Sequence, residues 1–139
     1  MSAVIDHMRK VPLFQGMPSY ALETVADRAS ETTFEDGEAL TREGEPGDAF
    51  HIVVEGRVNV SQGGELIREL GPGDFLGEIA LVDGRPRTAT VTAVGPVQAL
   101  TIRRADFLEM VEWDSAVRLG ILMALTERIR KSDPGELLD

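Results

Sequence analysis

The placing of glycine along the chain constrains its fold more than any other feature of the sequence. Eleven of the fourteen glycines fall between Gly37 and Gly95, while the first 36 residues and the last 44 hold the other three. Pairs such as Glu43-Gly44, Pro46-Gly47, Glu55-Gly56, Gly63-Gly64, Asp83-Gly84 and Gly95-Pro96 punctuate this middle region every 5–10 residues or so. Turns spaced at roughly that interval are the mark of an all-β sandwich or roll. The segments between them, residues 49–54, 58–60, 66–70, 88–94 and 97–102, are rich in β-branched side chains and partly alternate apolar with polar, as strands do.

The two ends follow a helical period instead. Leu22, Val25, Ala26 and Ala29 recur at i, i+3, i+4 and i+7 behind Pro18-Ser19, which predicts an amphipathic helix ending near Ser30. After the last strand, residues 105–111 put Phe107, Leu108 and Val111 on one face, and residues 116–129 continue with Leu119, Leu122, Met123, Ala124 and Leu125. Two helices with a break near Trp113-Asp114 are expected, the Leu119, Leu122, Met123 and Leu125 stripe serving as core. Pro134 and Gly135 stop the second helix. At 139 residues the chain reads as one domain. Its expected parts are N-terminal helices to about residue 31, a mainly β roll over 32–103, C-terminal helices over 104–131 and a tail from 132 to 139.

Charge and composition narrow the function. Twenty-four Asp and Glu against fourteen Lys and Arg give a formal charge of −10, which repels nucleic-acid phosphates and anionic lipid. No nucleic-acid partner and no membrane association are expected, and any bound anion must be held locally. There is no Cys for disulfides, thiolate metal sites or thiol nucleophiles. With no leader and no apolar run near the ~18 residues of a membrane span, a cytoplasmic location is expected. Twelve Arg against two Lys hint at a bacterial, high-GC source.

The stretch from Gly71 to Val91, GPGDFLGEIALVDGRPRTATV, carries the chemistry. One turn of helix at residues 78–81 would direct unpaired backbone N–H groups outward as an anion cradle. Arg87 lies nine residues beyond Glu78, where Pro86 biases Arg85 toward extended geometry and lets a guanidinium face that cradle. Glu78 is a poor phosphate ligand, but a carboxylate accepts hydrogen bonds from a sugar hydroxyl. The pair suits a small ligand with one phosphate and one ribose.

This stretch closely resembles the phosphate-binding cassette of the cyclic nucleotide-binding domain family. Phe75, Gly77, Glu78, Ile79, Ala80, Leu81, Pro86, Arg87, Thr88, Ala89, Thr90 and Val91 each meet an element of that pattern. Residues 11–16, 42–48 and 52–58 resemble the family's opening segment, its early strand turn and the strand pair before the cassette. The resemblance implies a jelly-roll-like β-roll of eight strands flanked by an N-terminal helical segment and two C-terminal helices. It implies that Arg87 pairs with the cyclic phosphate, that Glu78 accepts from the ribose 2′-OH, and that backbone N–H groups of Gly77, Ile79, Ala80 and Ala89 line the anion site. Thr88 would sit beside phosphate and base, and Val60, with Leu76, would form apolar wall.

The ligand implied is cAMP, with cGMP as the alternative, in a regulatory sensor that passes occupancy through its C-terminal helices. No cofactor, metal or catalytic activity is expected. A jelly roll also admits a cupin-like metal enzyme, but such sites need several converging His and carboxylate ligands and this chain has only His7 and His51. His51, in an apolar strand, reads as a packed histidine. A binding-dead interaction module is a further alternative, against which the intact Glu78 and Arg87 argue. The expected partner is a protein effector or a fused output domain, and a homodimer is left open. Beyond Trp113 no aromatic residue is available to stack on the base, so an aliphatic lid from the last helix or from another subunit is expected.

Overall fold

The computed structural model describes residues 2–11, 14–76 and 86–131. Two helices, α1 (Ser2–Arg9) and α2 (Ser19–Arg28), precede the strands β1 (Ala29–Phe34), β2 (Ala39–Thr41), β3 (Ala49–Gln62), β4 (Glu65–Leu70), β5 (Phe75–Leu76) and β6 (Thr90–Arg103). Two more helices, α3 (Arg104–Trp113) and α4 (Ser115–Lys131), follow. The sheet runs β1-β6-β3-β4, with β2 also on β6 and β5 also on β3, and every pairing is antiparallel.

Two of the expected turns are bends instead. Glu55-Gly56 and Gly95-Pro96 lie inside the 14-residue strands β3 and β6, whose pairing shifts register on both sides of Glu55. Gly56 has φ 97° and Gly95 φ 74°, in the left-handed region that favours glycine. A Cβ on Gly56 would stand 2.4 Å from the Pro96 carbonyl oxygen, so this is where one bent strand crosses closely over the other. Counted as halves, the two bent strands bring the extended segments among the described residues to the eight expected of the roll.

The bends give the sheet two covered faces. On β3, Phe50 and Ile52 point toward the helices and join Leu22, Phe107, Met110 and Val117. Val53 and Val58 join Phe34, Leu76, Val91 and Val97 inside the roll. Both faces of residues 49–53 are therefore buried, and the alternation that marks a half-exposed strand is missing there.

Ala29 departs from the helical reading. Its backbone is extended, φ −90° and ψ 146°, and it opens β1 opposite Ile102, so α2 stops at Arg28 and Ser30 lies in the strand. Ala29 still packs against the helix-side core, which explains why its spacing mimicked a helical position. The break between the last two helices stands where the sequence put it. Asp114 is extended, and its Oδ1 accepts from the N–H groups of Ala116 at 3.0 Å and Val117 at 3.1 Å, capping α4.

The apolar stripe of α4 is a correction. Leu119, Leu122 and Met123 are 58%, 53% and 64% exposed, and of that set only Leu125 packs on the core. α4 turns inward the face that holds Val117, Gly120, Ile121 and Ala124. A Cβ on Gly120 would come within 2.4 Å of the Met17 side chain, so the lack of a side chain there lets the helix approach closely. No helix among the described residues is long and apolar enough to cross a membrane. The tail from 132 to 139 lies outside the described residues.

Candidate functional site

Among the described residues three polar or charged side chains are buried: Thr41, His51 and Arg87. They share one end of the roll, where β2, the start of β3 and the lead into β6 meet. Arg87 Nη2 donates to the Ala49 carbonyl oxygen at 2.5 Å and lies 3.7 Å from Asp48 Oδ1. The main chain of Arg87 is held as well. Its N–H donates to the Glu45 carbonyl at 2.8 Å, and its own carbonyl accepts from Gly44 N–H at 2.9 Å.

The turn between β2 and β3 thus grips Arg87 at the backbone while β3 grips its side chain. A buried cation is costly unless hydrogen-bonded or paired, and a guanidinium, with five N–H donors in a fork, combines several partners with recognition of an anion. Asp48 itself is a solvent-screened partner, since its carboxylate side chain is 91% exposed.

The remaining expected site residues divide. Thr88 is exposed, and its carbonyl accepts from Gln62 Nε2 at 2.8 Å. The Ala89 carbonyl accepts from Thr41 Oγ1 at 3.1 Å. Val60 is half-buried, pairs with Val91 and packs against the interior of the roll. Gly77, Glu78, Ile79 and Ala80 lie outside the described residues. The two flanks of the cassette nevertheless converge: Leu76 pairs with His51 and Arg87 bonds Ala49, so both sit on the same three residues of β3.

Sequence reading took His51 only as packing, and the structure gives it a polar role as well. Its ring stands edge-on to Phe34 with centroids 5.9 Å apart, and its Nδ1 is 3.0 Å from Thr101 Oγ1. Burial first, and then the Arg87 charge, push its pKa down to about 4, against smaller opposing effects of Asp48 and of a hydrogen bond with the Leu40 backbone. The ring is neutral at pH 7. Nothing in local spacing signals this arrangement, because His51 meets Thr101 through the pairing of β3 with β6, and Arg87 is tied to β3 by its bond to Ala49.

A model of the cyclic nucleotide-binding domain matches residues 31–114. The chain belongs to the cyclic nucleotide-binding domain family. It is 37% identical over 110 residues to the cAMP-dependent protein kinase regulatory subunit of Dictyostelium discoideum, a match over 73% of this chain and 34% of that protein. The chain therefore spans about a third of the length of that relative. Among solved structures of the family, the regulatory domain of Toxoplasma gondii PKA, co-crystallised with cAMP, superposes with TM-score 0.79 at 28% identity, over 94% of this chain and 50% of that one. The N-terminal domain of a Streptomyces coelicolor A3(2) transcriptional regulator superposes with TM-score 0.73 at 31% identity, over 92% of this chain and 99% of that one. As a cyclic nucleotide-binding domain, the chain keeps the family's mainly antiparallel roll with its flanking helices.

Proposed function

We propose that this domain binds a 3′,5′-cyclic nucleotide, cAMP in preference to cGMP, as a non-catalytic sensor. The observation that carries the reading is Arg87, a buried guanidinium held through its backbone by the turn between β2 and β3 and through its side chain by Ala49. In this reading Arg87 takes the cyclic phosphate, Glu78 accepts from the ribose 2′-OH, and backbone N–H groups of Gly77, Ile79, Ala80 and Ala89 complete the anion site. Thr88 lies beside the phosphate, and Val60 supplies apolar wall. The preference for cAMP is supported by the Dictyostelium and Toxoplasma relatives.

Occupancy is passed on by α3 and α4. Phe107 and Met110 of α3 pack in the same core as Phe50 and Ile52, one residue removed from the β3 positions that touch Arg87 and Leu76. A shift at the cassette thereby reaches the hinge at Asp114 through packed side chains. The output is a protein partner or another domain. Fluorescence competition between a labelled cAMP analogue and unlabelled cAMP tests the reading: binding weakened by about 30-fold or more in Arg87→Ala, while the variant keeps its fold, supports it. Unchanged displacement in that variant overturns it.

A further inference from the structure

Successive carbonyl oxygens at the exit of the cassette are each held by a different part of the fold. That of Arg87 accepts from Gly44 N–H at 2.9 Å, that of Thr88 from Gln62 Nε2 at 2.8 Å, and that of Ala89 from Thr41 Oγ1 at 3.1 Å. The intervening N–H groups are treated differently: among the described residues, nothing accepts from the N–H of Thr88 or of Ala89. Among those residues no peptide bond is cis, and in a trans peptide the N–H points away from the preceding carbonyl. Holding the Arg87 and Thr88 carbonyls therefore fixes the directions of the Thr88 and Ala89 N–H groups as well. An anion site built from main chain needs this arrangement, with acceptors already used and donors left over.

The bond from Gln62 is the one made by an exposed side chain. Gln62 is the last residue of β3, opposite Glu65 across a Gly63-Gly64 turn whose φ values of 57° and 82° suit a tight hairpin. That turn is anchored in its own right. Gly63 N–H donates to Glu43 Oε1 at 2.9 Å, and Glu43 N–H donates to Thr90 Oγ1 at 3.0 Å. Gly44 and Glu45, next to Glu43, hold the main chain of Arg87. Hairpin tip, β2–β3 turn and cassette exit thus form one hydrogen-bonded unit, within which Gln62 reaches the Thr88 carbonyl. Thr41 is buried, so loss of its hydroxyl would strand a carbonyl and destabilise the fold, whereas loss of the Gln62 amide leaves the Thr88 carbonyl to water.

We propose that Gln62 is a positioning residue of the anion site: by holding the Thr88 carbonyl it sets the peptide between Thr88 and Ala89 so that the Ala89 N–H meets the phosphate of the ligand. This rests on the reading of Arg87 and Ala89 as phosphate ligands. Gln62 acts through the peptide, at the phosphate end of the ligand, so its contribution is the same whichever base the nucleotide carries.

The test is calorimetry of cAMP and cGMP binding to the full chain and to Gln62→Met, which keeps the reach of the side chain without its donor, with amide NMR and thermal unfolding of the same proteins. Gln62→Ala is measured beside it. The expected result is an unfolding temperature close to that of the parent and binding of both nucleotides weakened by the same factor, about three- to ten-fold. In the parent the Ala89 amide proton moves downfield when ligand saturates the site. In the variants that resonance is displaced before ligand is added and moves less on binding, a signature that a purely structural role would not produce at unchanged stability. Parent-like affinity in both variants, an Ala89 amide that responds as in the parent, or failure of both variants to fold overturns this inference and leaves the proposed function standing. Weakening confined to one nucleotide places Gln62 at the base and overturns it too, while no binding of either nucleotide by the parent overturns both readings.

Discussion

Arg87 donates through Nη2 to the carbonyl oxygen of Ala49 at 2.5 Å, which holds a cation on the buried start of β3. A charge fixed in this way is already oriented for an anion, and losing it removes a charge-assisted contact from a partly desolvated site. Arg87→Ala is expected to weaken cyclic-nucleotide binding by ~2–4 kcal/mol, about 30- to 1,000-fold. Glu78→Ala, which loses a bond to a neutral hydroxyl, should cost about 1.5–3 kcal/mol. Calorimetry on variants whose circular dichroism matches the parent checks both, and an Arg87→Ala variant that unfolds or binds normally would assign the residue a purely structural role.

The depressed pKa of His51 makes stability depend on pH. The ring protonates near pH 4 in the fold and near 6.5 when unfolded, so the unfolded chain binds more protons between these values. Stability is fully present above about pH 6.5 and is lost as pH falls toward 4, by about 3 kcal/mol from this one residue. Urea unfolding of the unliganded protein at intervals from pH 7 to 4.5 should show the loss, and His51→Gln should flatten that part of the profile. Parallel profiles for the two proteins would contradict the assignment.

The crossing of the two bent strands is sensitive at one position. Gly56 combines a positive φ with a backbone oxygen 2.4 Å from where a Cβ would stand, and a backbone atom cannot swing aside. Gly56→Ala is expected to destabilise the domain by about 2–4 kcal/mol, from left-handed strain plus displacement of β6. Gly95→Ala, with a positive φ but open space around it, should cost less, on the order of 1 kcal/mol. Thermal unfolding of the two variants decides the order.

The parts of this fold that were legible from sequence are those governed by local chemistry. The turn glycines marked the roll, Asp114 marked the break between α3 and α4, and the cassette residues marked the family. What local reading missed depended on distant pairing. Ala29 kept a helical spacing because it faces the same core from β1, and Gly95-Pro96 looked like a chain reversal although it bends a continuous strand. α4 carries apolar residues on two faces, and the packing of Val117, Ile121, Ala124 and Leu125 on the core, with Gly120 close to Met17, leaves Leu119, Leu122 and Met123 outside. The packing of His51 was legible from its apolar strand, and the ring is buried against Phe34, while its contact with Thr101 depends on the pairing of β3 with β6.

Signal transmission has its own readout. Because α4 lies against the N-terminal segment at Met17, a ligand-driven shift of α3 should change the protection of α4 as well as that of the cassette. Amide exchange with saturating cAMP is expected to slow in residues 77–89 and also in residues 116–131. Slowing confined to the first segment would mean that occupancy is not passed on by α4.

The central claim is that this domain recognises a cyclic phosphate on a ribose, and calorimetric titration of the unmodified protein with cAMP, cGMP and 5′-AMP tests it most directly. The account predicts saturable heat with cAMP at a one-to-one ratio, weaker binding of cGMP, and much weaker binding of 5′-AMP, whose open, dianionic phosphate does not match the cyclic diester. Absence of heat with both cyclic nucleotides, or equal affinity for cAMP and 5′-AMP, would contradict it.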